Sequence, residues 1–322
     1  MKEDLIFVLA KRTDPPPSVI NSLPGARILI GDSAERFEKD AALASILFNW
    51  SGPLDLFKKV FIRCPNLRWV HSRSVGLERT LFPELVESPV PLTNGAGVFS
   101  ASLGEFAIGA MLFFAKDFRR MIRNQSAGIW EPFDVGWVSG KTLGIVGYGD
   151  IGRAIAARAH ALGMTVLALR RNLPGSSCAD AAISKMYSRG ERIAMISRCD
   201  FVVVATPLTQ ETRGMIGAAE IAAMKPNAVL INVGRGPVID EKALLRALSA
   251  GQIAGAALDV FDQEPLPKGH PFYSLENVLL SPHCADHTPD WLENAMQFFI
   301  EQYARFRKGE PLLNIVDKRL GY

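Results

Sequence analysis

Three side chains far apart in the sequence, Arg235 in NVGRG, Glu264 in LDVFDQEP and His283 in SPHCAD, carry the groups needed to grip an anionic keto acid and protonate its carbonyl oxygen. A guanidinium offers a planar fork of donors that suits a carboxylate and the carbonyl oxygen beside it. An imidazole titrating near neutrality can give a proton to an oxygen that is gaining charge, and recover it in the reverse direction. A carboxylate on its other nitrogen favours the imidazolium, which keeps the acid loaded near pH 7. Glu264 is the candidate for that place, with Asp262 as the nearest rival. His287 follows His283 by four residues, but Pro282 and Pro289 interrupt the segment and no HExxH pattern is present, so no metal is expected. His71, His160 and His270 are given no role.

A hydride source is implied by GIVGYGDIGRAIA. An apolar strand runs into Gly147, and a helix begins near Asp150. In this GxGxxG spacing Gly147 permits the tight turn, Gly149 lets the backbone approach a pyrophosphate, and Gly152 lets helix and strand pack closely. Tyr148, Asp150 and Ile151 complete the phosphate-binding turn, whose helix N-terminus faces the anion. The second strand ends in ALRRN, close to the offset at which an acid would hold the ribose 2′-hydroxyl of NAD. That place holds Arg170 and Arg171. A guanidinium pairs with a 2′-phosphate, which a carboxylate would repel, so NADP(H) is preferred and NAD(H) remains possible.

The rest of the chain must position these groups. At 322 residues it exceeds the usual size of one core, and 48 % of its residues are apolar, which points to two domains. With 36 basic and 33 acidic residues the net charge of +3 gives no field suited to nucleic acid. The N-terminal apolar run in MKEDLIFVLAKR is too short for a signal or membrane segment and reads as a buried strand. Cys64, Cys178, Cys199 and Cys284 are scattered without metal or disulfide spacing, which suits reduced thiols in a cytoplasmic protein.

Up to Gly97, the runs LIFVLA, RILIG, ASILFNW and LRWVHS read as buried strands of an α/β layer, with a first helix starting near Pro17. Ser100 to Asn124 has helical spacing throughout and reads as one long helix. AGIWEPFDVGWVSGKT has no period and reads as an extended arm between subunits or domains. A second series follows with TLGIVG, MTVLALR, DFVVVA, AVLINVG, GAALDV and NVLLS. Strands alternating with helices imply a parallel, doubly wound sheet with right-handed crossovers. The last helix, Thr288 to Glu310, would make the first domain discontinuous if it packs back on it. The expected division is residues 1–99 with 288–322, and residues 100–287.

Taken together, GYGDIG, ATPLTQETRGMI, NVGRGPVIDEKAL, ALDVFDQEPLP and SPHCADHTP resemble the D-isomer-specific 2-hydroxyacid dehydrogenase family, and the likeness spans nearly the whole chain. The resemblance implies an α/β architecture of two doubly wound parallel-sheet domains. A Rossmann-type cofactor domain would be inserted in a flavodoxin-like substrate domain, with an active site in the cleft and a homodimer formed through the cofactor domains. It also implies that Ser74, Val75 and Gly76 hold the substrate carboxylate through backbone amides. Thr206, Pro207 and Thr212 would line the cofactor groove, and Val233 and Asp259 would contact the nicotinamide. Trp50 is a candidate for shaping the substrate pocket, and Trp130 and Trp137 for dimer contact.

Arg170, in place of the usual acid, is similar to the NADPH-dependent glyoxylate and hydroxypyruvate reductases of that family. Glu264 argues against formate dehydrogenases, where glutamine supports the histidine. The chain ends soon after the last helix, so the appended regulatory domain of many phosphoglycerate dehydrogenases is not expected. The activity implied is hydride transfer between NADP(H) and a small 2-keto or D-2-hydroxy acid. A phosphite dehydrogenase and a dinucleotide-sensing, corepressor-like binding protein are the alternatives. Neither a nucleic-acid nor a membrane partner is expected.

Overall fold

A computed structural model of the chain describes residues 3–78, 80–171 and 180–322; Cys178 lies outside the described residues. The chain divides into two compact units, Met1–Val98 with Pro289–Tyr322, and Phe99–Thr288. Each has its own sheet, and every pairing between strands is parallel.

The first unit contains β1 (Asp4–Leu9), β2 (Ala26–Gly31), β3 (Ala44–Asn49), β4 (Trp69–Ser72) and β5 (Leu92–Asn94), in the order β2-β1-β3-β4-β5. This is the flavodoxin-like winding. Strands covered on both faces lose the alternation of apolar and polar residues, and β1 is accordingly buried at all six positions. Pro17 precedes a short 3-10 helix, Ser18–Ser22. The final helix, Trp291–Lys308, packs on this sheet: Phe299 stacks on Phe48 with ring centroids 4.1 Å apart, and Arg307 reaches Asp4 at 3.1 Å. His71 lies within the aromatic cluster, bonded through Nδ1 to Thr93 at 2.7 Å, and burial pushes its pKa down to about 3.

The second unit contains β6 (Thr142–Val146), β7 (Thr165–Leu169), β8 (Lys185–Tyr187), β9 (Phe201–Val204), β10 (Val229–Asn232), β11 (Gly255–Leu258) and β12 (Val278–Leu280). Their order, β12-β11-β10-β9-β6-β7-β8, reverses direction between β6 and β9. That reversal is the switch point at whose carboxyl edge open α/β sheets bind ligands. Helix Asp150–Ala161 follows β6, and helix Ser100–Ala115 packs on it where a Cβ at Gly104 would lie 3.3 Å from the Ala154 carbonyl oxygen.

Several elements differ from expectation. The segment from Ser100 to Asn124 is two helices, Ser100–Ala115 and Phe118–Ala127. Asp117 breaks it by adopting left-handed backbone at φ 51° and accepting a bond from the Arg120 N–H, since a short polar side chain tolerates that conformation and caps the new start. The edge strands β5 and β8 have only three residues each and no apolar run to betray them. Residues 129–137 form no regular element, and Trp130 is 98 % exposed. Cys64, Cys199 and Cys284 are free thiols, the first two raised to about 12 by burial. Among the described residues no helix is long and apolar enough to cross a membrane.

Candidate active site

At the carboxyl edge of β6 the chain turns through Gly147 with φ 102°, a conformation that penalises any side chain. A Cβ there would also strike the Thr206 methyl at 2.6 Å and the Ala205 carbonyl oxygen at 2.8 Å, so the glycine lets the ends of β6 and β9 close. Gly152 does the same within the turn, because its Cβ would fall 2.4 Å from the Gly147 carbonyl oxygen. Gly149 has nothing within 4 Å of its Cβ position, leaving an open approach to the start of the helix at Asp150 and Ile151. Thr206 Oγ1 is buried without a partner among the described residues. A turn that only glycine can make, an open glycine face and an orphaned hydroxyl together fit a bound dinucleotide. Tyr148 is buried and donates its hydroxyl to Asp180 at 2.5 Å, which with burial raises its pKa beyond the usual phenol range. The Thr212 hydroxyl bonds the Pro207 carbonyl at 2.7 Å and so helps fold its own loop.

Arg235 follows β10. The buried Asn232 shapes its loop, accepting from the Gly234 N–H at 3.0 Å and donating to the Arg235 carbonyl at 3.1 Å. Gly236 then lies against Phe261: a Cβ would come 2.0 Å from the Phe261 carbonyl carbon. That contact draws the Arg235 loop onto the segment that bears Glu264. Glu264 accepts the Phe261 N–H at 3.0 Å through Oε1 and meets His283 Nδ1 at 2.8 Å through Oε2. Asp262, the rival carboxylate, instead has its pKa raised by burial and by Glu241.

His283 adopts φ 53°, and the loop that holds it there is organised by Asp259. One oxygen of this buried carboxylate accepts from the Ser281 hydroxyl at 2.6 Å and from the Cys284 and Ala285 N–H groups at 3.0 and 3.1 Å. The hydrogen bond to Glu264 raises the His283 pKa, outweighing burial and the nearby Arg235. Burial pushes the Glu264 carboxyl up, but the bonds from His283 and Phe261 and the charges of His283 and Arg235 bring it below its ordinary value. Both partners therefore shift toward the charged pair, with Arg235 close enough to act on each. Asn232 and the loop-holding use of Asp259 escaped the sequence reading; their signal is a polar residue closing an apolar strand, in VLIN and AALD. Val233 is buried beside β9, its N–H bonded to the Val204 carbonyl at 3.0 Å.

Ser74, Val75 and Gly76 belong to the first unit, after β4, where Asn94 donates to the Val75 carbonyl at 2.9 Å. Trp50, a candidate either for the pocket wall or for the core, is 1 % exposed. It is a core residue, edge-on to Phe48 and beneath the Arg73 guanidinium at 4.5 Å, because an indole after a central strand gains more from burial than from water. In the second unit, the half-buried Arg170 donates its backbone N–H to the Tyr187 carbonyl at 3.0 Å, and Arg171 pairs with Glu211 at 3.4 Å.

A doubly wound sheet with a glycine-rich turn at its switch point, and an arginine beside an acid-backed histidine, defines a dinucleotide-linked oxidoreductase. Residues 108–285 match the D-isomer specific 2-hydroxyacid dehydrogenase, NAD binding domain family. A glyoxylate reductase of Korarchaeum cryptofilum is 34 % identical over 309 residues, covering 92 % of this chain and 87 % of that protein. A D-isomer specific 2-hydroxyacid dehydrogenase of Xanthobacter autotrophicus, solved with NADPH and MES, superposes with a TM-score of 0.85 at 31 % identity over the whole of both chains. An NADPH-dependent glyoxylate/hydroxypyruvate reductase of Sinorhizobium meliloti, solved with NADP and sulfate, gives 0.84 at 26 % identity, again over both chains. The chain belongs to the D-isomer specific 2-hydroxyacid dehydrogenase family.

Proposed function

We propose that the protein is an NADP(H)-linked reductase of small 2-keto acids of the glyoxylate and hydroxypyruvate class. The observation that carries this reading is the 2.8 Å bond between His283 Nδ1 and Glu264, within reach of the Arg235 charge. Because Glu264 takes Nδ1, Nε2 is the atom that delivers the proton. Arg235 grips the substrate carboxylate and polarises the carbonyl; His283 protonates the oxygen as the carbonyl carbon is reduced, and becomes neutral. The nicotinamide, when bound, supplies the hydride. Gly147 to Gly152, Thr206, Pro207, Thr212, Val233 and Asp259 form its binding edge, and Arg170 and Arg171 receive the 2′-phosphate. The first unit is the substrate domain, with the Ser74–Gly76 backbone as its carboxylate-binding segment. The second is the cofactor domain. The exposed apolar side chains of Phe118, Met121, Ile122, Ile129, Trp130 and Trp137 support a homodimer formed through this segment. The free thiols support a cytoplasmic setting.

The test is oxidation of NADPH and of NADH against a panel of 2-keto acids, with the native protein and His283→Ala. The native protein should turn over with NADPH preferred, and His283→Ala should lose on the order of 100-fold or more in kcat while binding NADPH normally. A native preference for NADH, or cofactor binding with negligible turnover on every acid, would refute the proposal.

A further inference from the structure

Beside the two arginines that follow β7, the structure brings up a third from the turn after the neighbouring strand β8. Tyr187, the last residue of β8, pairs with Leu169, the last of β7, and accepts the Arg170 N–H. Two residues on stands Arg189. Its turn is fixed by Ser188, whose N–H and hydroxyl both bond Glu191, at 2.9 and 2.7 Å. The Arg189 guanidinium reaches Glu211 Oε2 at 2.8 Å and also bonds the Glu211 carbonyl oxygen, while Arg171 meets Glu211 Oε1 at 3.4 Å. Two guanidinium groups from neighbouring strand ends thus converge on one carboxylate, each taking one of its oxygens. Glu211 sits on the loop after β9 that the Thr209–Thr212 bonds hold in place. All three side chains are about half exposed, so solvent screens each ion pair and leaves it open to exchange for a stronger partner.

We propose that Arg189 is a third specificity-determining residue for the 2′-phosphate of NADP(H), and that Glu211 occupies Arg171 and Arg189 until that phosphate displaces it. The proposal rests on the NADP(H) reading given above. A phosphate monoester brings a charge of about −2 and three acceptor oxygens, which suits Arg171 and Arg189 better than one carboxylate does. The Glu211 carboxylate keeps both guanidinium forks aimed at one point before the ligand arrives, and it remains their partner when the ligand is NAD(H).

The experiment measures binding of 2′,5′-ADP and of 5′-AMP by calorimetry to the native chain, Arg189→Met and Glu211→Gln. Glu211 is exposed and Arg189 is half-buried at the surface, with neither in the core, so the variants should fold. Arg189→Met should weaken 2′,5′-ADP about tenfold and leave 5′-AMP within twofold. Glu211→Gln should tighten 2′,5′-ADP severalfold, again without effect on 5′-AMP. Equal changes for both ligands, no change in Arg189→Met, or weaker 2′,5′-ADP binding in Glu211→Gln would overturn the proposal. If the native chain does not distinguish the two ligands, the NADP(H) reading itself fails; if it does and Arg189→Met leaves the difference intact, only the assignment of Arg189 fails.

Discussion

Replacing Glu264 by glutamine keeps an acceptor of nearly the same shape at His283 Nδ1 and removes the charge. In the native protein the hydrogen bond to Glu264, and then its charge, hold the imidazole above its ordinary pKa, while burial and Arg235 pull it down. Without the carboxylate the downward influences prevail, and the neutral ring is favoured. The magnitude follows from the 2.8 Å contact. A hydrogen bond to a charged partner contributes about 1.5–3 kcal/mol. The His283 and Glu264 side chains are 41 % and 27 % exposed, so solvent screening brings this to about 1–2 kcal/mol. At ~1.4 kcal/mol per tenfold, the ratio of imidazolium to imidazole at fixed pH falls about 5- to 30-fold.

The assay is kcat/KM in both directions across pH. Reduction requires the imidazolium, so its rate is full at low pH and is lost as pH rises through the His283 pKa; in Glu264→Gln that falling limb moves to lower pH. The variant should therefore be about 5- to 30-fold slower on the alkaline side and close to native on the acid side. Oxidation requires the neutral ring, so its rising limb should move in the same direction. A loss of equal size at every pH would mean that Glu264 only places the ring, and a limb displaced to higher pH would refute the electrostatic argument outright.

The glycine that joins the two catalytic loops gives a sharper structural prediction. Gly236→Ala puts a Cβ 2.0 Å from backbone atoms of Phe261, which no rotamer change relieves, and should destabilise the second unit by on the order of 3 kcal/mol in denaturant unfolding. An unchanged midpoint would show that the loop contact is not needed. Trp130→Asp alters a side chain that is 98 % exposed and should convert a dimer to monomer in sedimentation velocity, with the melting temperature of the monomeric chain little changed; persistence of the dimer would remove this segment from the interface.

What the sequence made legible follows from how local each signal is. Buried parallel strands such as DLIFVL and TLGIV are continuous apolar runs, and the glycine turn after β6 combines strand, spacing and helix in one short segment. The short edges β5 and β8 have too few apolar residues to register, and the break at Asp117 lies inside a pattern that remains helical on both sides. Residue type alone does not say whether an aromatic after a central strand, such as Trp50, faces ligand or core. Arg235, Glu264 and His283 could be chosen by chemistry, but not the means by which they are gathered.

Those means combine local turns with contacts made across the sheet. Asn232 and Asp259 end neighbouring strands β10 and β11 and turn their polar groups onto the loops bearing Arg235 and His283. Gly236 lets the first loop touch Phe261, whose own N–H then fixes Glu264. The bonds of Asn232 and Glu264 span only two or three residues, but the Asp259 bonds and the Gly236–Phe261 contact join atoms that are close only after the sheet has formed, and these leave no spacing rule in the sequence. The pKa of His283 is in this sense a property of the sheet: it depends on a carboxylate whose position is set by the packing of β10 against β11, and a change that separates those strand ends should lower that pKa without touching either side chain.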